Sequence, residues 1–140
     1  MTIDAIEERE SSTSAGDPAG QRRSVVLYSP DRDFCLSLSM MWKDEFDLVT
    51  TTDDDMIFAL VQSIQPDVLL AEARPTVRLQ RKFEFLKARF PKLRIVMICT
   101  AEIKNDDFSE HLGHFVDAMY SEPIDIVKFG KCVHSMEWTL

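Results

Sequence analysis

Residues 94–101, RIVMICTA, contain the most strongly apolar run of the chain, followed directly by a threonine and an alanine. A short run of this kind, rich in β-branched side chains, is typical of a strand that is buried on both faces of a parallel sheet. Outward from it, comparable runs occur at residues 24–28, 46–50, 67–71 and 118–120. The sequence therefore predicts five strands.

Apolar residues at helical spacing separate these predicted strands. The first helix is predicted to start with Ser29 as its N-cap and Pro30 at its first helical position. Asp53 is predicted to cap the second helix. A weaker helix is predicted over residues 108–115, and Pro123 is predicted to open the last one. Helices and strands thus alternate strictly along the chain.

This alternation predicts an α/β fold with one five-stranded parallel sheet and helices on both faces. In such sheets, functional side chains lie at the carboxyl ends of the strands. Residues 1–23 are acidic and rich in Ser, with almost no apolar side chain after Ile6, and are predicted to form a disordered tail. Residues 24–140 are predicted to form the folded domain.

Composition narrows the classes of partner. A net charge of −8 and a pI near 4.8 argue against nucleic acid as a ligand. No apolar run approaches the ~20 residues that span a bilayer, so no membrane partner is expected. The number of cysteines is odd, and they are widely spaced, at Cys35, Cys99 and Cys132. This pattern favours buried thiols over disulfides or a zinc site. A cytoplasmic protein is the expectation.

Three local motifs fall at the ends of the predicted strands: QPDVLLAE at residues 65–72, ICTA at 98–101 and EPID at 122–125. Because of the order and spacing of these three motifs, residues 24–138 resemble the receiver domains of response regulators, the CheY-like family. The resemblance implies a flavodoxin-like (βα)5 fold with strand order 2-1-3-4-5. It also implies a role in two-component signal transduction.

The resemblance further implies a phosphorylation pocket, from which this chain departs. Such a pocket has an acidic pair that binds magnesium, an acceptor aspartate, a Thr or Ser, and a lysine before the last proline. The corresponding residues here are Ser29, Pro30, Asp31, Glu72, Thr100 and Glu122. Proline has no side-chain oxygen for magnesium, and the lysine has become a glutamate. We therefore expect a degenerate pocket with no metal, no cofactor, no catalytic residues and no aspartyl phosphorylation.

The favoured hypothesis is a stand-alone pseudo-receiver that acts by phosphorylation-independent contact with a signalling protein, either a kinase or an effector. Whether the protein forms a homodimer is left open. The candidate contact surface follows the family's fourth helix, fifth strand and fifth helix. Its candidate residues are Glu102, Lys104, Tyr120, Lys128 and Lys131.

Alternatives stay open at this stage. Glu72 is either a standing mimic of a phosphorylated aspartate that engages Thr100, or the occupant of a relaxed pocket. The chain could instead accept phosphoryl on Asp31 or Asp33, respond to a divalent ion bridged by Asp31, Glu72 and Glu122, or sense a small ligand as a dimer. An enzyme is disfavoured because the four glycines form no phosphate-binding loop.

Overall fold

Five parallel strands form one sheet in the computed structural model, which describes residues 22–100, 115–121 and 125–135. Their order is β2-β1-β3-β4-β5, which confirms the predicted topology. The strands are β1 Arg23–Tyr28, β2 Phe46–Thr51, β3 Val68–Ala73, β4 Arg94–Cys99 and β5 Ala118–Ser121. Residues 1–21 of the predicted tail, and all but the last residue of the predicted helix at 108–115, lie outside the described residues.

In the described ranges, three helices and one short 3-10 turn connect strands, and a fourth helix follows β5. They are α1 Arg32–Trp42, the turn Asp54–Met56, α2 Ile57–Ile64, α3 Val77–Arg89 and α4 Ile126–Ser135. The helix α2 ends at Ile64, and its C-cap residue, Gln65, takes a left-handed conformation with φ of 50°. None of the helices in these ranges is long and apolar enough to cross a membrane.

The start of α1 differs from the prediction. Asp31, and not Ser29, is the N-cap, because the Asp31 carboxylate accepts hydrogen bonds from the amides of Asp33 and Phe34. The first helical residue is Arg32, so Pro30 precedes the helix. The cap therefore uses the acidic side chain that lies between β1 and α1.

The end of β3 also differs from the prediction, which placed it at Ala71. The strand continues to Ala73, and Glu72 pairs with Ile98 of β4 inside the sheet. A charged residue ordinarily marks the end of a buried strand. Here the backbone pairing with β4 carries the strand two residues further, and Glu72 is buried with it.

The core has two layers, one on each face of the sheet. On one face, α2 and α3 cover the sheet, with Ile57, Val61 and Phe83 buried against it. On the other face, α1 and α4 cover it, with Trp42 and Phe129 buried. These two layers confirm that helices pack on both faces of the sheet.

Gly130 of α4 allows the two helices of the second layer to pack closely. A Cβ atom at this position would lie 2.9 Å from Nε1 of the buried Trp42 ring. We expect Gly130→Ala to lower the free energy of unfolding by about 1 kcal/mol, because overpacking costs ~1–3 kcal/mol and the better helix propensity of alanine returns only ~1. Urea denaturation measures this. A stabilised variant would show that the Trp42 ring shifts freely.

Candidate functional site

A buried hydrogen bond joins the ends of the two central strands. Ser29 follows β1 directly and is 0% exposed, and Glu72 of the neighbouring β3 is 4% exposed. The Ser29 hydroxyl donates to Oε1 of Glu72 at 2.5 Å. A carboxylate is costly to bury without hydrogen bonds, so this donor stabilises Glu72 at the pocket floor.

Asp31 completes the arrangement from the α1 side. Its backbone amide donates to the Ser29 hydroxyl oxygen at 3.0 Å, so this hydroxyl links α1 to β3. Its carboxylate Oδ1 accepts from Asp33 and Phe34 in the helix cap. Pro30, between Ser29 and Asp31, is exposed. Among the residues that the structure describes, the ends of β1 and β3 thus bring together one buried carboxylate, Glu72, and one exposed carboxylate, Asp31, that caps the helix.

Cys35 of α1 is buried next to Ser29 and Glu72. Its thiol points to the backbone carbonyl of Ser29, with Sγ and the oxygen 3.7 Å apart. Burial raises the pKa of the Cys35 thiol, and the nearby carboxylates of Glu72 and Asp31 raise it further. Because the thiolate is the reactive form, we expect this cysteine to react more slowly than an exposed thiol.

The cysteines should differ in reactivity. Cys35 and Cys99 are buried, and burial also raises the pKa of Cys99, whereas Cys132 on α4 is exposed, which corrects its prediction as a buried thiol. We expect iodoacetamide to modify Cys132 first in the native protein. Mass spectrometry of tryptic peptides would measure the rates. Equal modification of Cys35 would contradict the closed packing around Ser29 and Glu72.

The other predicted pocket residues lie further out or are not described. Thr100 is exposed, and its amide donates to the carbonyl oxygen of Ala73 at 3.2 Å. Glu122 lies outside the described residues. The structure therefore brings Ser29, Asp31 and Glu72 of the predicted pocket together, and it adds a direct hydrogen bond between Ser29 and Glu72 that was not predicted.

The predicted contact surface is described in part. Tyr120 of β5 packs edge-on against Phe129 at 5.0 Å, so its ring belongs to the second core layer. Lys128 and Lys131 on α4 are exposed, as is Val127 beside them, at 55%. Glu102 and Lys104 are among the residues that the structure does not describe.

Sequence reasoning missed a second group of charges at the same edge of the sheet. The carboxylates of Asp53, Asp54 and Asp55 lie within 4.8 Å of one another. Arg78 of α3 contacts Asp54 at 2.9 Å and Asp55 at 2.7 Å, and Lys82 contacts Asp55 at 3.3 Å. The consecutive aspartates were the available signal. Their pairing with cations of α3 gives them a structural role.

The hydrogen bond from Arg78 lowers the pKa of Asp54. A lowered pKa in the folded state means that the pair contributes stability above the ordinary carboxyl range and loses it as the pH falls through the folded value. We expect Arg78→Gln to raise the pKa of Asp54 toward its ordinary range. A carbon-13 NMR titration of the carboxyl group measures this. Lys82→Gln, which removes a contact to Asp55, should have a smaller effect; an equal effect would contradict the assignment.

Comparison with known proteins yields structural matches alone. No protein-family model matches the chain, and no curated protein matches it in sequence. Among solved structures, a CheY-like response regulator receiver domain protein of Methanospirillum hungatei is 13% identical, with a TM-score of 0.68 over 81% of this chain and 91% of that one. The signal receiver domain of an HD domain-containing protein from Pseudomonas fluorescens is 12% identical, with a TM-score of 0.69 over 81% and 92%.

A response regulator from Thermotoga maritima is similar to the same degree, with 13% identity and a TM-score of 0.66 over 81% of this chain and 95% of that one. At such identities the likeness concerns the fold. The sheet order, the helices on both faces and these structural matches agree. The chain has the fold of response-regulator receiver domains.

Proposed function

We propose that the protein is a pseudo-receiver, which acts in two-component-type signalling by binding another protein, without phosphorylation or catalysis. The observation that carries the proposal is the buried hydrogen bond from Ser29 to Glu72. In a receiver that accepts phosphoryl, the residue in the place of Glu72 must meet both the phosphoryl donor and a magnesium ion. Here that carboxylate is buried and accepts a hydrogen bond from a neutral hydroxyl.

The donor atoms at the end of β1 do not fit magnesium. This ion requires near-octahedral oxygen ligands and is usually held by one or two carboxylates. The Ser29 hydroxyl donates its hydrogen bond to Glu72, and Oδ1 of Asp31 accepts hydrogen bonds in the cap of α1. Pro30, between them, has no side-chain oxygen. Phosphoryl transfer depends on neutralising the charge of the transferred group. Among the described residues, the buried Glu72 carboxylate accepts from Ser29 and the nearby Asp31 carboxylate is used in the helix cap, which supports a role that does not require this transfer.

The partner surface is proposed on α4. Lys128 and Lys131 are exposed on this helix, and the exposed apolar Val127 lies on the same helix. Between α4 and α1, Val127 and Lys131 border a small groove together with Met41, which is 49% exposed. One carboxylate, that of the exposed Glu45, also lines this groove, so the cations of the surface are those of α4. An apolar centre beside the α4 cations suits an acidic surface with an apolar anchor. A kinase or effector of the signalling pathway is the proposed partner.

Acetyl phosphate tests the absence of phosphorylation. The full-length protein is incubated with acetyl phosphate and magnesium, and intact-protein mass spectrometry follows the product, with a receiver of known phosphorylation as the positive control. We expect no mass gain of a phosphoryl group. A gain that disappears in Glu72→Gln would overturn the proposal, and a gain that disappears in Asp31→Asn would favour the unconventional acceptor instead.

The contact surface needs a separate test. The tagged protein is cross-linked in its own cells, and the partner is identified by mass spectrometry and then produced for direct binding measurements. We expect Lys128→Glu with Lys131→Glu to weaken binding, because it reverses two charges of the proposed surface. The matched control, Lys43→Glu, reverses an exposed charge outside α4. An equal loss in both would place the contact elsewhere.

A further inference from the structure

A groove of about 490 Å³ lies at the opposite edge of the sheet from the Ser29 and Glu72 pair. Gln65 and Pro66, after α2, and the segment that follows α3 line it, so we call it the basal groove. Its apolar lining includes the half-buried Phe90 and, beneath it, Val61 and Leu93, which are 1% and 4% exposed. This groove is separate from the proposed partner surface on α4, and the inference below does not depend on that proposal.

The basal groove is positively charged at its rim. Arg89 and Lys92 line it and are exposed. Arg94 also lines it, but its guanidinium forms an ion pair with the Asp117 carboxylate, at a nitrogen–oxygen distance of 3.9 Å. The one acidic residue of the lining is Asp67, whose Oδ2 accepts from the amide of Ser24. The groove therefore suits an acidic ligand with apolar side chains.

The chain itself leads to this groove. The Ser24 amide and the Asp67 carboxylate are 2.9 Å apart, and the Asp67 amide donates to the Ser24 carbonyl at 2.8 Å. The start of β1 thus borders the groove, and residues 1–21 are attached there. Residues 11–21, SSTSAGDPAGQ, have the composition of a flexible linker, and eleven such residues span ~18 Å on average. A segment ahead of them reaches the groove readily.

The segment ahead of that linker has the matching chemistry. Residues 1–21 contain five acidic residues and one arginine, a net charge of 1 − 5 = −4, which is half of the −8 of the whole chain. Four of the five carboxylates fall within residues 3–10, IDAIEERE. Ile3 and Ile6 are three positions apart, the spacing that places two side chains on one face of a helical turn.

We propose that residues 3–10 dock in the basal groove of the same molecule, with Ile3 and Ile6 against its apolar walls and the carboxylates beside Arg89 and Lys92. Attachment through the linker gives the segment a high effective concentration at the groove. Because docking must offset the ordering entropy of the segment, it is reversible and weakens as salt screens the charges. The occupant is this chain's own acidic segment.

Amide NMR of the full-length protein tests the proposal through a variant pair. Ile3→Ser with Ile6→Ser removes the apolar contacts and leaves the charge unchanged. We expect shift changes concentrated at Val61, Phe90 and Leu93, because the groove loses its occupant, while the amides around Ser29 stay unchanged. The changes should be the same at all protein concentrations. The matched control, Ile3→Val with Ile6→Val, keeps apolar side chains and should leave the groove amides in place.

A charge exchange sharpens the test. Arg89→Glu with Lys92→Glu should shift the same amides as the isoleucine variant, and the further change of Glu7→Lys and Glu8→Lys should restore them. Lys131→Glu, on the opposite face, should leave the groove unchanged. Two outcomes would overturn the proposal: groove amides that do not respond to the isoleucine variant, and a response that grows with protein concentration, which would assign the groove to a second copy.

Discussion

Replacing Trp42 with alanine is expected to lower the free energy of unfolding by about 3–5 kcal/mol. The side chain is 2% exposed and lies between aromatic rings of two other elements, with centroids 4.8 Å from Phe46 and 6.0 Å from Phe129. It thus joins α1, β2 and α4, and its loss leaves a large cavity. Since the free energy of unfolding of a domain is ~5–15 kcal/mol, this change removes a large part of the stability of the protein. Urea denaturation followed by circular dichroism measures it.

Met41→Ala is the matched control for this experiment. Met41 is the neighbouring residue on α1 but is 49% exposed, and exposed substitutions change stability by only ~0.5 kcal/mol. The two variants have the same change in helix propensity to within a few tenths of a kcal/mol, so burial is the main difference between them. Equal losses would show that the layer between the sheet and helices α1 and α4 is loosely packed.

Replacing Ser29 with alanine is expected to lower the free energy of unfolding by about 1.5–3 kcal/mol, the range for a hydrogen bond to a charged group. The change removes the hydroxyl that donates to Glu72 and that accepts from the Asp31 amide. Ser29 is 0% exposed, so water does not readily replace the lost hydroxyl. Ser37→Ala, at an exposed position of α1, is the control and should have little effect.

A double-mutant cycle separates this hydrogen bond from the other effects of the change. Glu72→Gln removes the charge and keeps nearly the same shape. If Ser29 mainly stabilises the Glu72 carboxylate, Ser29→Ala should cost less in the Glu72→Gln background than in the native protein. Additive losses would mean that the two side chains do not couple, and the contact would then carry no argument about function.

The fold was predictable because its signals are local. Each strand is a short apolar run, and the alternation with helical periodicity permits few topologies. The errors occur where a distant contact decides the outcome. The apolar run predicted that β3 ends at Ala71; the pairing of Glu72 and Ala73 with β4 extends the strand. No pattern within residues 67–73 contains that information.

The same reason limits what could be predicted of the candidate site. Ser29 has the ordinary properties of an N-cap, but its hydroxyl donates to Glu72, 43 residues away, and Asp31, an equally good capping residue, caps the helix. The role of the consecutive aspartates at residues 53–55 depends likewise on Arg78 of α3. Residue identities predicted which side chains face the strand ends. Which residues those side chains contact could be seen only in the three-dimensional structure.

The most direct test of the pseudo-receiver proposal is an amide NMR titration of the full-length protein, first with magnesium and then with beryllofluoride, which mimics a phosphoryl group. We predict that the amides of Ser29, Asp31, Glu72 and Thr100 do not shift with either addition, while a receiver of known phosphorylation shifts under the same conditions. Saturable shifts at these residues would contradict the proposal and would show that the pocket still works as a metal-dependent switch.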